Sequence, residues 1–171
     1  MTFFLIGFMG SGKTHWGKIW AEAYNLSFVD LDHVIEKREG KTIAEIFANV
    51  GEASFRQMEA TVLRSFDGVK DTIVACGGGT PCFLENMRWM NGHGTTVYLS
   101  SEPTEIFNRV LKGQQKRPLL SKMNETELMV FIEQKLNERA PFYAAATVTL
   151  STRTLSENSF GKVLAMVQSG S

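Results

Sequence analysis

Short apolar runs rich in β-branched and aromatic residues recur at 3–8, 26–29, 72–76, 95–99 and 147–150, and the stretches between them carry apolar positions at helical spacing. Helical patterning is clearest over 14–24, 52–66, 81–90, 103–111, 125–139 and 155–167, with shorter pieces at 33–39 and 42–49 parted by Gly40. This alternation predicts an α/β fold in which a five-stranded parallel sheet is covered by helices on both faces. The pieces after the second strand predict a helical insertion, about 32–60, suited to housing a second substrate. The segment 112–124, K-G-Q-Q-K-R-P-L-L-S-K-M-N, breaks the pattern with Gly113, Pro118 and four cations. It reads either as a mobile lid over an active site or as an ordinary solvated connection.

Composition narrows this picture. A chain of 171 residues is long enough for one domain with a substantial core and too short for two ordinary ones, so a single domain over 1–171 is expected. Eighteen Lys and Arg balance eighteen Asp and Glu, which argues against a general electrostatic grip on nucleic acid. The N-terminal apolar run has no basic leader, and no segment approaches the roughly 20 apolar residues of a membrane span. Cys76 and Cys82 are the only cysteines, with nothing nearby to complete a zinc site, and read as free thiols in a reducing compartment. A cytoplasmic protein with no membrane contact is the expectation.

The chemistry begins directly after the first strand. Residues 7–14 read G-F-M-G-S-G-K-T, which fits the phosphate-loop pattern G-x-x-x-x-G-K-[ST]. Its glycines let backbone N–H groups curl around phosphate oxygens, and a helix starting near Gly12 points its positive end at the same anion. Lys13 then reaches the β and γ phosphates, and the Thr14 hydroxyl serves a magnesium ion shared with water and the nucleotide.

The second strand ends in Asp30-Leu31-Asp32. In an open α/β sheet, ligands bind beyond the carboxyl ends of the strands, so both carboxylates are expected to face the nucleotide. If the segment is extended, i and i+2 share a face, and one acid can sit near magnesium while the other holds an acceptor hydroxyl. A helix-capping role for Asp32 is the alternative. The third strand runs into Cys76-Gly77-Gly78-Gly79-Thr80-Pro81, a backbone a ligand can approach closely. Arg56, Arg117 and Arg139 are each ordinary surface arginines taken singly, and Arg139 lies where a helix end is expected. His15, His33 and His93 share no metal-ligand spacing, and Trp16, Trp20 and Trp89 read as helix packing. From these residues alone the reading is a small-molecule kinase whose acceptor carries an anionic group and hydroxyls. A gluconate-type kinase, a nucleoside monophosphate kinase and a nucleotide-binding module without catalysis stay open.

The phosphate loop, D-L-D, F-R-x-x-E, G-G-G, R-P-L-L and R-A-P-x-Y occur in an order and spacing that resemble the shikimate kinases, over residues 3 to about 150. That resemblance implies phosphoryl transfer from ATP to the 3-hydroxyl of shikimate, in the route to chorismate and the aromatic amino acids. It implies that Gly10, Ser11, Gly12, Lys13, Thr14 and His15 wrap the nucleotide phosphates, and that Thr14 and, through water, Asp30 hold Mg2+. Asp32, Arg56, Gly78 and Arg139 bind shikimate in this reading. The two arginines clamp its carboxylate and Asp32 engages the reacting hydroxyl. Lys13, Asp32 and Arg117 carry catalysis, with Arg117 on the lid meeting the phosphates. The chain departs from the family's N-x-R-x-P adenine segment, having Ser151-Thr152-Arg153-Thr154-Leu155 instead. Arg153 and Arg109 are the expected walls of the adenine, the latter by cation–π stacking. A monomer is expected.

Overall fold

The computed structural model describes residues 1–113, 120 and 122–169. Five strands, β1 (Thr2–Ile6), β2 (Ser27–Asp30), β3 (Thr72–Ala75), β4 (Thr95–Ser100) and β5 (Val148–Ser151), form one sheet in the order β2-β3-β1-β4-β5. Every pairing is parallel, with Thr2 opposite Thr72 and Phe3 opposite Thr95 fixing the register of the central strand. β1 is buried over its full length. Its side chains alternate, so Phe4 and Ile6 join one apolar cluster while Phe3 and Leu5 join the other. Helices cover both faces, which is the layering the apolar strands predicted.

Around the sheet lie α1 (Lys13–Ala23), α2 (Leu31–Glu39), α3 (Ile43–Arg64), α4 (Asn86–His93), α5 (Pro103–Lys112), α6 (Glu125–Ala144) and α7 (Ser159–Ser169). Trp20, Phe160 and Val163 from α1 and α7 pack on the Phe3 face, whereas Leu31, Ile35, Phe55, Leu63, Met90 and Tyr143 pack on the Phe4 face. Phe8 joins Ile106, Val110, Leu128 and Ile132 in a third cluster that seats the phosphate loop on α5 and α6. Gly17 sits mid-helix because α1 lies tight on β2, where a Cβ would come 2.5 Å from the Phe28 ring. Among the described residues, no helix is long and apolar enough to cross a membrane.

Some element limits differ from the sequence expectation, each for a local reason. The two pieces expected at 42–49 and 52–66 form one helix, α3, interrupted only at Gly51, whose φ of 78° and ψ of 172° are non-helical. The single helix expected over 81–90 is instead a 3-10 turn at Thr80–Cys82, two left-handed residues, Leu84 and Glu85, and then α4. Tertiary bonds hold that irregular path. Arg64 donates to the Leu84 carbonyl at 2.9 Å and to Asn86 Oδ1 at 3.0 Å, and Asn86 Nδ2 donates to the Thr80 carbonyl at 2.9 Å. The helix expected to stop at Arg139 runs through Pro141 to Ala144, which places Arg139 inside it rather than at its end.

Candidate functional site

The phosphate loop leaves the end of β1 and turns at Gly7, Gly10 and Gly12, all with positive φ. Gly12 is the N-cap of α1 in the left-handed conformation, and no side chain caps the helix. α2, α3 and α6 are capped by Asp30, Thr42 and Asn124 side chains, whereas α1, like α4, has no side-chain cap among the described residues. A helix N-terminus of this kind receives an anion. Lys13 Nζ donates to the carbonyls of Gly7 (2.7 Å) and Phe8 (3.0 Å), which pins the ammonium across the loop. Burial lowers its pKa to about 8, opposed chiefly by the Asp32 carboxylate. Ser11 Oγ is fully buried without a hydrogen-bond partner among the described residues. His15 lies exposed in the first turn of α1, edge-on to Trp16.

The two aspartates do not share an extended face. The strand ends at Asp30 and α2 begins at once, so Asp32 stands in the first helical turn. The capping role considered for Asp32 belongs to Asp30, whose carboxylate accepts from His33 N–H at 3.4 Å and from Thr14 Oγ1 at 2.8 Å. Thr14 and Asp30 thus stand together beside the loop. Asp32 points toward the triple-glycine turn, and its pKa is raised to about 6, first by burial and then by the nearby Glu59 and Asp30 carboxylates.

That turn gathers the remaining groups. A Cβ on Gly77 would lie 3.1 Å from Asp32 Oδ1, from Glu59 Oε1 and from Thr80 Oγ1. One on Gly78 would lie 3.1 Å from Arg139 Nη1 and 3.3 Å from Met9 N, and one on Gly79 only 2.6 Å from Arg56 Nη2. A side chain here would press on two guanidinium groups and two carboxylates, which approach the same three residues. Arg56 is set by Glu59, which is 1% exposed and accepts from Arg56 Nη1 at 2.8 Å and from Thr80 Oγ1 at 2.6 Å. Phe83 stacks under the Arg56 guanidinium at 4.3 Å, and Phe8 under that of Arg139 at 5.2 Å. Neither Glu59 nor Tyr143 was singled out from the sequence. The Arg–Glu spacing of three on a helix and the tyrosine of R-A-P-x-Y were the signals available.

Arg109 donates to the Gly10 carbonyl at 3.0 Å, so it flanks the loop. Arg153 is largely exposed, with Nε 3.8 Å from Glu105 Oε1, one turn from Arg109 along α5. Arg117 and most of the expected lid fall at 114–119 and 121, outside the described residues.

Parallel β-α units with a phosphate loop after the central strand, facing a pocket of paired carboxylates and guanidinium groups, define an α/β phosphotransferase for a small anionic acceptor. The comparisons with known proteins agree on which one. The shikimate kinase family model matches residues 9–168. A shikimate kinase of Bacteroides fragilis is 43% identical over 156 residues, covering 91% of this chain and 87% of that relative. The crystal structure of shikimate kinase from Bacteroides thetaiotaomicron superposes with a TM-score of 0.92 at 39% identity, covering 98% of each chain. The Acinetobacter baumannii enzyme in complex with shikimate gives 0.86 at 32% identity, covering 99% of this chain and 93% of that one. The chain belongs to the shikimate kinase family, and its activity is the ATP-dependent phosphorylation of shikimate in aromatic amino-acid biosynthesis.

Proposed function

We propose that the groups around Gly77, Gly78 and Gly79 form the shikimate pocket, and that the γ-phosphoryl group of ATP passes to the 3-hydroxyl held there. Arg56 and Arg139 bind the carboxylate, which suits two planar donors converging from α3 and α6 on adjacent glycines. Asp32 accepts a hydrogen bond from the reacting hydroxyl and takes up its proton as the phosphoryl group leaves, a task suited to a carboxylate titrating near 6. The loop residues Gly10, Ser11, Gly12, Lys13, Thr14 and His15 hold the phosphates, with Lys13 offsetting charge on the transferred group. The observation that carries this reading is the convergence of Asp32, Arg56 and Arg139 on one glycine turn beside the phosphate loop.

Magnesium fits the donor set. The Thr14 hydroxyl and the Asp30 carboxylate are hard oxygen donors 2.8 Å apart next to the loop. Among the described residues, no group of three or more His, Cys, Asp or Glu is placed to hold a metal. An ion bound mostly by water and nucleotide oxygens, with one or two protein ligands, is the ordinary magnesium arrangement. When bound, it supplies charge neutralisation of the phosphates.

Arg117 is assigned to the phosphates and 112–124 to the lid on the family resemblance, and Arg109 and Arg153 to the adenine end. The stretch spanning α2 and the first part of α3 is the substrate-binding insertion within a single domain. A monomer is the assignment made for the chain, and the free thiols Cys76 and Cys82 suit the cytoplasm. The test is Arg139→Ala, assayed by coupled ADP release. Loss of one charge-assisted pair, about 1.5–3 kcal/mol, raises the shikimate KM by about ten- to a hundredfold with the ATP KM little changed. A raised ATP KM with an unchanged shikimate KM would reject the assignment.

A further inference from the structure

Tyr143 is 1% exposed, one turn beyond Arg139 on α6, and its ring stacks on Tyr98 with centroids 4.9 Å apart. Packing alone would be served by phenylalanine. The hydroxyl, however, donates to the Gly78 carbonyl at 2.7 Å, and the Arg139 guanidinium is near enough for its charge to act on the phenol. Gly78 is wedged in turn between Arg139 and the phosphate loop, since a Cβ on it would meet Arg139 Nη1, Met9 N and the Gly7 carbonyl within 3.1, 3.3 and 3.5 Å. Phe8 of that loop lies under the Arg139 guanidinium. One phenol oxygen therefore anchors the glycine against which both this cation and the donor loop are packed.

We propose that the Tyr143 hydroxyl is a positioning group that holds Arg139 and the Gly78 peptide in fixed register against the phosphate loop, so that the shikimate carboxylate is bound at the distance that aligns its hydroxyl with the γ-phosphoryl group. This rests on the reading of Arg139 and Gly78 as acceptor contacts. Without the hydroxyl, the guanidinium keeps its charge and its ring contact with Phe8, but the Gly78 carbonyl loses its donor and the turn against which the guanidinium rests is no longer held.

Tyr143→Phe tests this in steady-state kinetics with ATP and shikimate, beside Tyr98→Leu, which removes the stacking partner and keeps the hydroxyl. The expected result for Tyr143→Phe is a shikimate KM raised about three- to tenfold, as for one hydrogen bond, with the ATP KM unchanged. Tyr98→Leu should lower the unfolding midpoint and leave the shikimate KM near the parent value. In an Arg139→Ala background, Tyr143→Phe should have almost no further effect on shikimate, because the group it positions is gone. The inference is overturned if Tyr143→Phe leaves the shikimate KM alone, if its effect is equally large without Arg139, or if Tyr98→Leu reproduces it. Should Arg139→Ala itself leave shikimate use intact, the acceptor assignment falls and this inference with it. A response to Arg139→Ala without one to Tyr143→Phe rejects the positioning role alone.

Discussion

The phosphate loop is contiguous, residues 7–14, and presents backbone N–H groups and one lysine. The proposed acceptor pocket draws Asp32 from α2, Arg56 and Glu59 from α3, a glycine turn after β3 and Arg139 from α6. In the first, geometry is inherited from strand, turn and helix, and the sequence motif is the structure. In the second, charged side chains from distant segments are held by one another, so removing one changes the surroundings of the rest. The difference bears on how each region should respond to substitution.

The largest effect is expected in the loop. Lys13→Met removes the loop's one charged side chain, and a lost transition-state contact of this kind costs about 10²- to 10³-fold in kcat. The fold should persist, because among the described residues the hydrogen bonds of Lys13 go to the Gly7 and Phe8 carbonyls of its own loop. Single-turnover phosphoryl transfer with circular dichroism measures both, and near-parental turnover would remove the lysine from the mechanism.

The pocket should instead lose stability. Arg56→Ala strands the buried Glu59 carboxylate with only Thr80 as a partner, a defect worth about 3–5 kcal/mol. Arg139→Ala forfeits mainly a ring contact, about 1 kcal/mol. Urea unfolding compares the two, and Glu59→Gln added to Arg56→Ala should recover much of the loss. Equal stabilities for the two single variants would contradict the buried pairing.

The smallest effect concerns Asp32. Its pKa is raised from 3.8 to about 6 in the folded, ligand-free protein. Between those values the folded state keeps a proton that the unfolded chain releases, so this group's contribution to stability falls as pH rises from about 4 to 6. Above pH 6 the buried carboxylate remains a cost. Asp32→Asn, unfolded in EDTA without substrates, should therefore be more stable than the parent at pH 7 by about 1 kcal/mol, less than the full shift implies because Lys13 loses its counter-charge. The gain should vanish below pH 4, and a gain of equal size there would refute the origin given for it.

The sheet and the loop were legible because each depends on local pattern: apolar runs at 3–8 and 72–76 mark central strands, and G-x-x-x-x-G-K-T fixes its own turn. Asp32, Arg56 and Arg139 were recognisable only as parts of several motifs taken together. The helical setting of Asp32 was missed because the strand ends and the helix starts within one residue, leaving no spacer to read. Glu59 and Tyr143 escaped notice because a buried acid and a buried phenol look like surface charge and core aromatic until their partners, Thr80 and Gly78, arrive from another element.

The sheet order carries a thermodynamic consequence. β1, which launches the phosphate loop, is hydrogen-bonded to β3 on one side and β4 on the other, whereas β2, which delivers Asp30 and Asp32, is an edge strand paired to β3 alone. Opening the first disrupts two ladders and opening the second disrupts one, so local unfolding reaches Asp30 and Asp32 at a smaller free energy than the phosphate loop or the glycine turn after β3, which is also paired on both sides. The molecule is thus graded in rigidity across its width, with its most persistent backbone under the phosphate loop and the glycine turn and its more readily opened backbone under the two aspartates.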